Sequence, residues 1–205
     1  MELSRVGSDL LGPTESLVLT ALARLTDPVS GRQLTKLAGA ESNSTVQRYL
    51  AKLKRIGLVF ATETPSASLY RLNRTHVFWD AIRAILAAPA AIEQEIATLV
   101  ARELGAAARV AIFGSVAAGT AGPDSDYDLL LIVDNSVSPE DRSAIVSTLT
   151  DVVEKLTGNA CQVVDISEYE LSNLVAHDSP IVHEWSQNAR PIDGRGQIPH
   201  LEGLG

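Results

Sequence analysis

Residues 109–133 read RVAIFGSVAAGTAGPDSDYDLLLIV, a short apolar run, a glycine-rich turn, then two aspartates around a tyrosine at the head of a second apolar run. The run Arg109–Phe113 predicts a short strand, closed at Gly114-Ser115 by a turn whose backbone N–H groups suit phosphate oxygens. Spacing excludes two familiar phosphate loops: Gly114 and Gly119 are followed by Thr120 where a P-loop requires lysine, and GxGxxG is absent. Asp126 and Asp128 stand at i and i+2, so on a strand both carboxylates project to one face while Tyr127 and Leu129 project to the other. LLLIV at 129–133 continues apolar on both faces, as a central sheet strand does. Two such close carboxylates stay ionised comfortably beside a cation, and oxygen ligands that leave room for substrate phosphates suit Mg2+ or Mn2+. The plainer reading is that Pro123-Asp124-Ser125-Asp126 forms a turn whose acids only cap backbone N–H groups.

Around this stretch, 205 residues with 45% hydrophobic content suffice for two small domains. The longest apolar runs, AAPAAI at 87–92 and LLLIV, fall short of the roughly 20 residues of a membrane span, so no transmembrane helix and no membrane partner are expected. MELSRVGSDLLG lacks the apolar core of a secretory signal, and a cytoplasmic location is expected. Cys161, the single cysteine, excludes an internal disulfide and a cysteine-rich zinc site, and is expected to pack in a strand. The net charge of -8 is unevenly spread. Residues 1–76 hold ten Lys/Arg against six Asp/Glu, whereas residues 77–205 hold seven against nineteen, which suggests two modules with different partners.

In the basic module, Pro13 precedes a helix over 14–25 that aligns Val18, Ala21, Leu22 and Leu25. Ser30 and Gln33 have capping-box spacing for a second helix with Leu34 and Leu37 on its buried side, ended by Gly39. Ser44 and Gln47 repeat that spacing for a third, with Val46, Leu50 and Leu53 inward and Gly57 as its stop. LVFAT and SLYRL around the turn TPSA predict a hairpin. Three helices and a hairpin over about residues 12–75 resemble the winged helix-turn-helix family. The resemblance implies DNA binding, with the third helix in the major groove and the wing on the backbone. Ser44, Thr45, Gln47 and Arg48 would then face DNA, and Lys52, Lys54, Arg55, Arg71 and Arg74 would meet phosphates. The alternative is that these cations merely solvate exposed faces.

Residues 77–104 predict a helical linker interrupted at Pro89, with Trp79, Ile82 and Leu86 packing it onto a core. Beyond the acid pair, Ser138-Pro139 opens a helix over 139–157 with Ile145, Leu149, Val152 and Leu156 inward, Gly158 stops it, and CQVVDI at 161–166 gives another strand.

The pattern GS, ten residues, DxD and an apolar strand resembles the signature of nucleotidyltransferases of the DNA polymerase beta superfamily, particularly the minimal bacterial ones, over about residues 95–193. The resemblance implies a small mixed sheet flanked by helices, hence an α/β (α+β) chain. It also implies Gly114, Ser115 and Ser125 as nucleotide-binding, Asp126 and Asp128 as catalytic metal ligands for Mg2+ or Mn2+, and Asp165 as a third catalytic and metal-binding carboxylate. The implied reaction is attack of an acceptor hydroxyl on the alpha phosphorus of an NTP, ATP being favoured, with release of pyrophosphate. Many relatives carry arginines in forms like GSRARG, where this chain has Val116 and Ala118, so Arg109 or a partner surface would have to supply positive charge. His177 and His183 read as surface or packing residues and Trp185 as a core anchor.

The expected organisation is therefore a winged helix-turn-helix domain over 1–76, a helical linker over 77–104, a nucleotidyltransferase domain over 105–193 and a flexible tail over 194–205. Expected partners are DNA, an NTP and a protein or RNA acceptor, such as a cognate toxin; a homodimer fits half-site binding. The alternative is a DNA-binding regulator whose nucleotidyltransferase domain senses nucleotide or is inactive.

Overall fold

The computed structural model describes residues 1–2, 7–198 and 201. It divides into two compact units between Ala88 and Pro89, each combining helices with a small sheet. The class is mixed α/β.

The N-terminal unit contains α1 (Ser8–Leu11), α2 (Pro13–Arg24), β1 (Val29–Ser30), α3 (Gly31–Leu37), α4 (Asn43–Arg55), β2 (Val59–Glu63) and β3 (Ser68–Leu72). Pro13 opens α2, where its missing N–H costs nothing. Ser30 and Gln33 make the expected capping box, with Gln33 N donating to Ser30 Oγ at 3.3 Å and Ser30 N donating to Gln33 Oε1 at 3.0 Å. The cap of α4 is Ser42 instead of Ser44, accepting from Thr45 N at 3.3 Å. Gln47 cannot reach back to a cap because its amide is turned inward against Gly31 and accepts the Tyr70 hydroxyl at 3.4 Å. Val18, Leu22, Leu34, Val46, Leu50 and Leu53 fill the core with Trp79, against which Ile82 and Leu86 pack as expected. Leu37, expected on the buried side, is exposed at the last position of its two-turn helix. The hairpin β2–β3 is joined by β1, giving an antiparallel sheet of order β1-β3-β2. β1 is only two residues long, too short for a periodic signal.

Helix α5 (Trp79–Leu104) is continuous through Pro89, whereas an interruption was expected there. Alanines at 87, 88, 90 and 91 surround the proline, and strong helix formers offset one missing hydrogen bond. By length and composition α5 together with the turn that follows it could cross a bilayer. The sequence runs concealed this because Pro89, Glu93 and Glu95 divide them. Ile92, Ile96, Leu99 and Val100 are buried in the core of the C-terminal unit.

The C-terminal unit continues with a 3-10 turn (Gly105–Ala107), β4 (Ala108–Phe113), α6 (Gly114–Ala117), β5 (Tyr127–Val133), α7 (Pro139–Thr157), β6 (Cys161–Ser167), α8 (Glu168–Ala176), α9 (Pro180–Asn188) and β7 (Arg190–Pro191). The sheet order is β6-β5-β4-β7, with β5 antiparallel to β4 and parallel to β6. Alternation along β5 sends Leu129, Leu131 and Val133 into a core with α5 and α7, and Leu130 and Ile132 into a second core with Leu171 of α8 and Val182 and Trp185 of α9.

Ser138 caps α7 and Gly158 ends it at φ 73°. The buried stripe is Ile145, Leu149 and Val153; Leu156, expected inward, is exposed. The segment expected as a flexible tail supplies Ile198 and Leu201 to the second core, and Arg109 ties it down by donating to the carbonyls of Gly196 and Gln197 at 2.8 Å.

Replacing Leu129, fully buried at the centre of β5, by alanine is expected to cost about 2–5 kcal/mol. Urea unfolding followed by the fluorescence of Trp185 measures it, and a loss under about 1 kcal/mol would contradict the assigned core.

Candidate active site

β4 and β5 run antiparallel with Phe113 opposite Asp128, so the end of one strand, the turn after it and the start of the next meet at one end of the sheet. Gly114 begins the turn at φ 66°, where L side chains are strained. A Cβ there would also strike Asp128 Oδ2, so the glycine is needed for space as well as for conformation. The first N–H groups of so short a helix have no carbonyl one turn back, and among the described residues no side chain caps them. Ser115 closes the following loop by accepting Thr120 N at 2.9 Å and Ala121 N at 3.1 Å on its carbonyl. Its hydroxyl makes no hydrogen bond among the described residues. Ser125 Oγ accepts Gly122 N at 2.8 Å, so this residue shapes the loop with its side chain.

Asp126 precedes the strand and Asp128 is its second residue; both are half-buried. Burial, then Asp126, then Glu184 hold the Asp128 carboxyl above the ordinary aspartate range. Among the described residues no Lys or Arg forms an ion pair with either acid. Gln162 Nε2 donates to Asp126 Oδ2 at 2.7 Å. Burial and nearby acids, led by Glu154, push the Cys161 thiol up to about 12, so this buried cysteine packs as expected and is not a thiolate.

Asp165 is not brought to the pair. The parallel register sets Gln162 opposite Asp128 and Asp165 opposite Leu131, three residues further along, or about 10 Å, and on the other face. There Arg142 of α7 holds it, with Nε donating to Asp165 Oδ2 at 2.8 Å and Nη2 donating to Glu170 Oε2 at 3.2 Å. The position beside Asp128 on β6 therefore carries an amide, and the third nearby acid is Glu184 on α9.

Arg109 does not compensate for the missing motif arginines. It sits at the far end of β4, bonded to Asp193 at 3.2 Å and to two carbonyls. Val116 packs on the core and Ala118 is exposed.

Asn159 is a site-shaping residue that periodicity did not single out. It is buried after the Gly158 stop, and its Nδ2 donates to the carbonyls of Pro123 and Ser125 at 3.0 Å, which anchors the loop leading into the acid pair. Nothing in local spacing marks Glu184 or Gln162 either, because each acquires meaning from a neighbour distant in sequence.

Of the residues expected to face DNA, Ser44, Arg48, Lys52 and Arg55 form an exposed stripe along α4. Thr45 is half-buried and accepts Arg48 Nη2 at 3.4 Å, whereas Gln47 points inward. Lys54 pairs with Glu63 at 3.3 Å, and Arg71 lies over the Phe60 ring. Arg74 donates through Nη2 to the carbonyls of Ala23 and Leu25 at 2.9 Å, which clamps it at the end of α2. His183 pairs with Asp178, His177 bonds the Asn173 carbonyl, and Trp185 is a fully buried anchor.

Residues 93–179 match the family model of the nucleotidyltransferase domain. Neither a curated protein nor a solved structure gives a match. The match contains the glycine turn, the acid pair and β6; α9 with Glu184 lies beyond it, as does the N-terminal unit. Residues 93–179 of the C-terminal unit thus resemble a nucleotidyltransferase domain.

A carboxyl raised in the folded state favours folding while protonated, and that advantage is lost as pH rises through its folded pKa. With divalent cations removed by EDTA, Asp128→Asn is therefore expected to raise the thermal midpoint at pH 7, and the gain should shrink as pH falls through the raised folded pKa and be largely gone by about pH 4. A variant less stable than the parent at pH 7 would contradict the cost of burying and crowding the Asp128 carboxylate.

Proposed function

We propose that the C-terminal unit transfers a nucleoside monophosphate from an NTP, ATP being favoured, to a hydroxyl of a protein or RNA acceptor. The observation that carries this reading is the packing of Asp128 against Gly114, which puts the acid pair at the mouth of the glycine turn. The reaction forms one phosphate ester bond to the acceptor oxygen, breaks the bond from the alpha phosphorus to its bridging oxygen, releases pyrophosphate and gives the acceptor's hydroxyl proton to solvent.

The donor set fits a hard divalent cation: two half-buried carboxylates, one with a raised pKa, pressed by the charge of Glu184 and paired with no basic side chain among the described residues. Asp126 and Asp128 would hold Mg2+ or Mn2+, which when bound supplies positive charge against the triphosphate. The first N–H groups of the turn cradle phosphate oxygens, and the Ser115 hydroxyl donates to one of them. Asn159 and Ser125 hold the loop so that the two acids keep their separation. Gln162 steadies Asp126 and offers no carboxylate to receive the acceptor proton.

In this reading the N-terminal unit tethers the enzyme to DNA through the stripe of Ser44, Arg48, Lys52 and Arg55, which supplies backbone affinity and a steep salt dependence. A toxin encoded beside it is one candidate acceptor, the cytoplasm is the proposed location, and a homodimer would span two half-sites.

A second reading is a DNA-binding regulator whose C-terminal unit senses nucleotide without turnover. It is favoured by Gln162 in register with Asp128 and by the engagement of Arg109 away from the turn. Incubation with alpha-labelled ATP, GTP, CTP and UTP, Mg2+ or Mn2+, and host lysate decides between them. Label on protein or RNA that disappears in Asp126→Ala/Asp128→Ala is expected; bound nucleotide without label would establish the sensor.

Two variants test the site assignment itself. Gln162→Asp is expected to tighten Mn2+ binding by about tenfold. Asp165→Asn is expected to leave Mn2+ affinity unchanged while lowering stability through the lost Arg142 pair. Loss of Mn2+ binding in Asp165→Asn would return that acid to the metal site.

A further inference from the structure

We propose that the N-terminal unit contains a binding cleft for a small amphipathic anion, a carboxylate or phosphate group on an apolar, ring-sized body. The cleft has a volume of about 490 Å³, lies between α2 and the first turns of α5, and is lined by Thr20, Arg24, Arg74, Trp79, Arg83 and Leu86, with alanines completing the wall. That volume is in the range of small-molecule sites. All its lining residues belong to the N-terminal unit, and the cleft is separate from the exposed stripe on α4 and from the acid pair.

Three arginines line the cleft beside Trp79, Leu86 and two alanines, and no acid is among its lining residues. Arg74 is pre-positioned because its Nη2 is shared between the carbonyls of Ala23 and Leu25, both at 2.9 Å. Those bonds also cover the negative end of α2, which would otherwise oppose an anion. The remaining N–H groups of Arg74 are left to donate elsewhere. Arg83 pairs with Asp80 at 3.0 Å, but both side chains are largely exposed, and such a pair is weak and exchangeable. Arg24 makes no hydrogen bond or ion pair among the described residues.

Guanidinium forks match carboxylate and phosphate oxygens bidentately, and an apolar ligand body would cover Leu86 and the ring of Trp79. The three arginines are solvent-exposed, and they border a concavity with an apolar base. The charge sets the ligand's sign and the floor sets its amphipathic character.

The full chain is titrated calorimetrically with 1-naphthoate, 1-naphthyl phosphate and the neutral 1-naphthol. One site per chain for at least one anion is expected, with 1-naphthol at least about tenfold weaker; the tighter anion identifies the headgroup. Arg24→Ala/Arg83→Ala is expected to lose at least about tenfold in affinity. So is Thr20→Trp, which fills the cleft and keeps every arginine. Asp126→Ala/Asp128→Ala is expected to bind as the parent does, which separates this cleft from the nucleotide site. Circular dichroism establishes that each variant is folded. The proposal is overturned by equal affinity for 1-naphthol and the anions, by no binding of either anion at millimolar concentration, or by parental affinity in both folded cleft variants.

Discussion

The strand Tyr127–Val133 is apolar on both faces, and burying both at once requires helices on either side of one sheet. α5 and α7 cover one face, while α8, α9 and the segment bearing Ile198 cover the other. That double burial locks the register of the strand, because a slip of one residue would move Leu130 and Ile132 into the wrong layer. With the register locked, Asp128 must stand opposite Phe113 and beside Gly114, and the acid pair must lie at the rim of the sheet. The chemistry of the site is thus positioned by hydrophobic layers that contain none of it.

Much of this was legible in local sequence. The alternation around Asp126 and Asp128, the glycine at the turn, the Ser30 capping box and the apolar run of β5 depend on residues a few positions apart, and local rules reach them. Asp165 shows where those rules stop. An acid on a strand next to the pair has the right chemistry, but whether it arrives depends on inter-strand register, and register depends on how α7 packs. The structure sets Asp165 on the α7 face, where Arg142 neutralises it. Gln162 takes the neighbouring place, and Glu184 adds its charge to Asp128 from a helix whose sequence gives no sign of it.

The basic unit teaches the same point through side-chain direction. Gln47 and Arg74 carry hydrogen-bonding groups suited to DNA, yet the first is bonded to Tyr70 and the second is anchored through one nitrogen at the end of α2. Side chains that can bond anything are claimed first by buried or unsatisfied groups nearby. Arg48 reaches Thr45 one turn back and Lys52 lies over the Tyr49 ring, and both stay on the exposed face of α4.

Gly114 is constrained twice, by a backbone angle that disfavours side chains and by the oxygen of Asp128 lying where a methyl group would go. Those constraints impose an order on mutational drift. Shortening Asp128 in a descendant would only partly liberate position 114, since the backbone angle would persist. The glycine would therefore outlast the acid it accommodates, and the turn would stay behind as a record of a carboxylate no longer there.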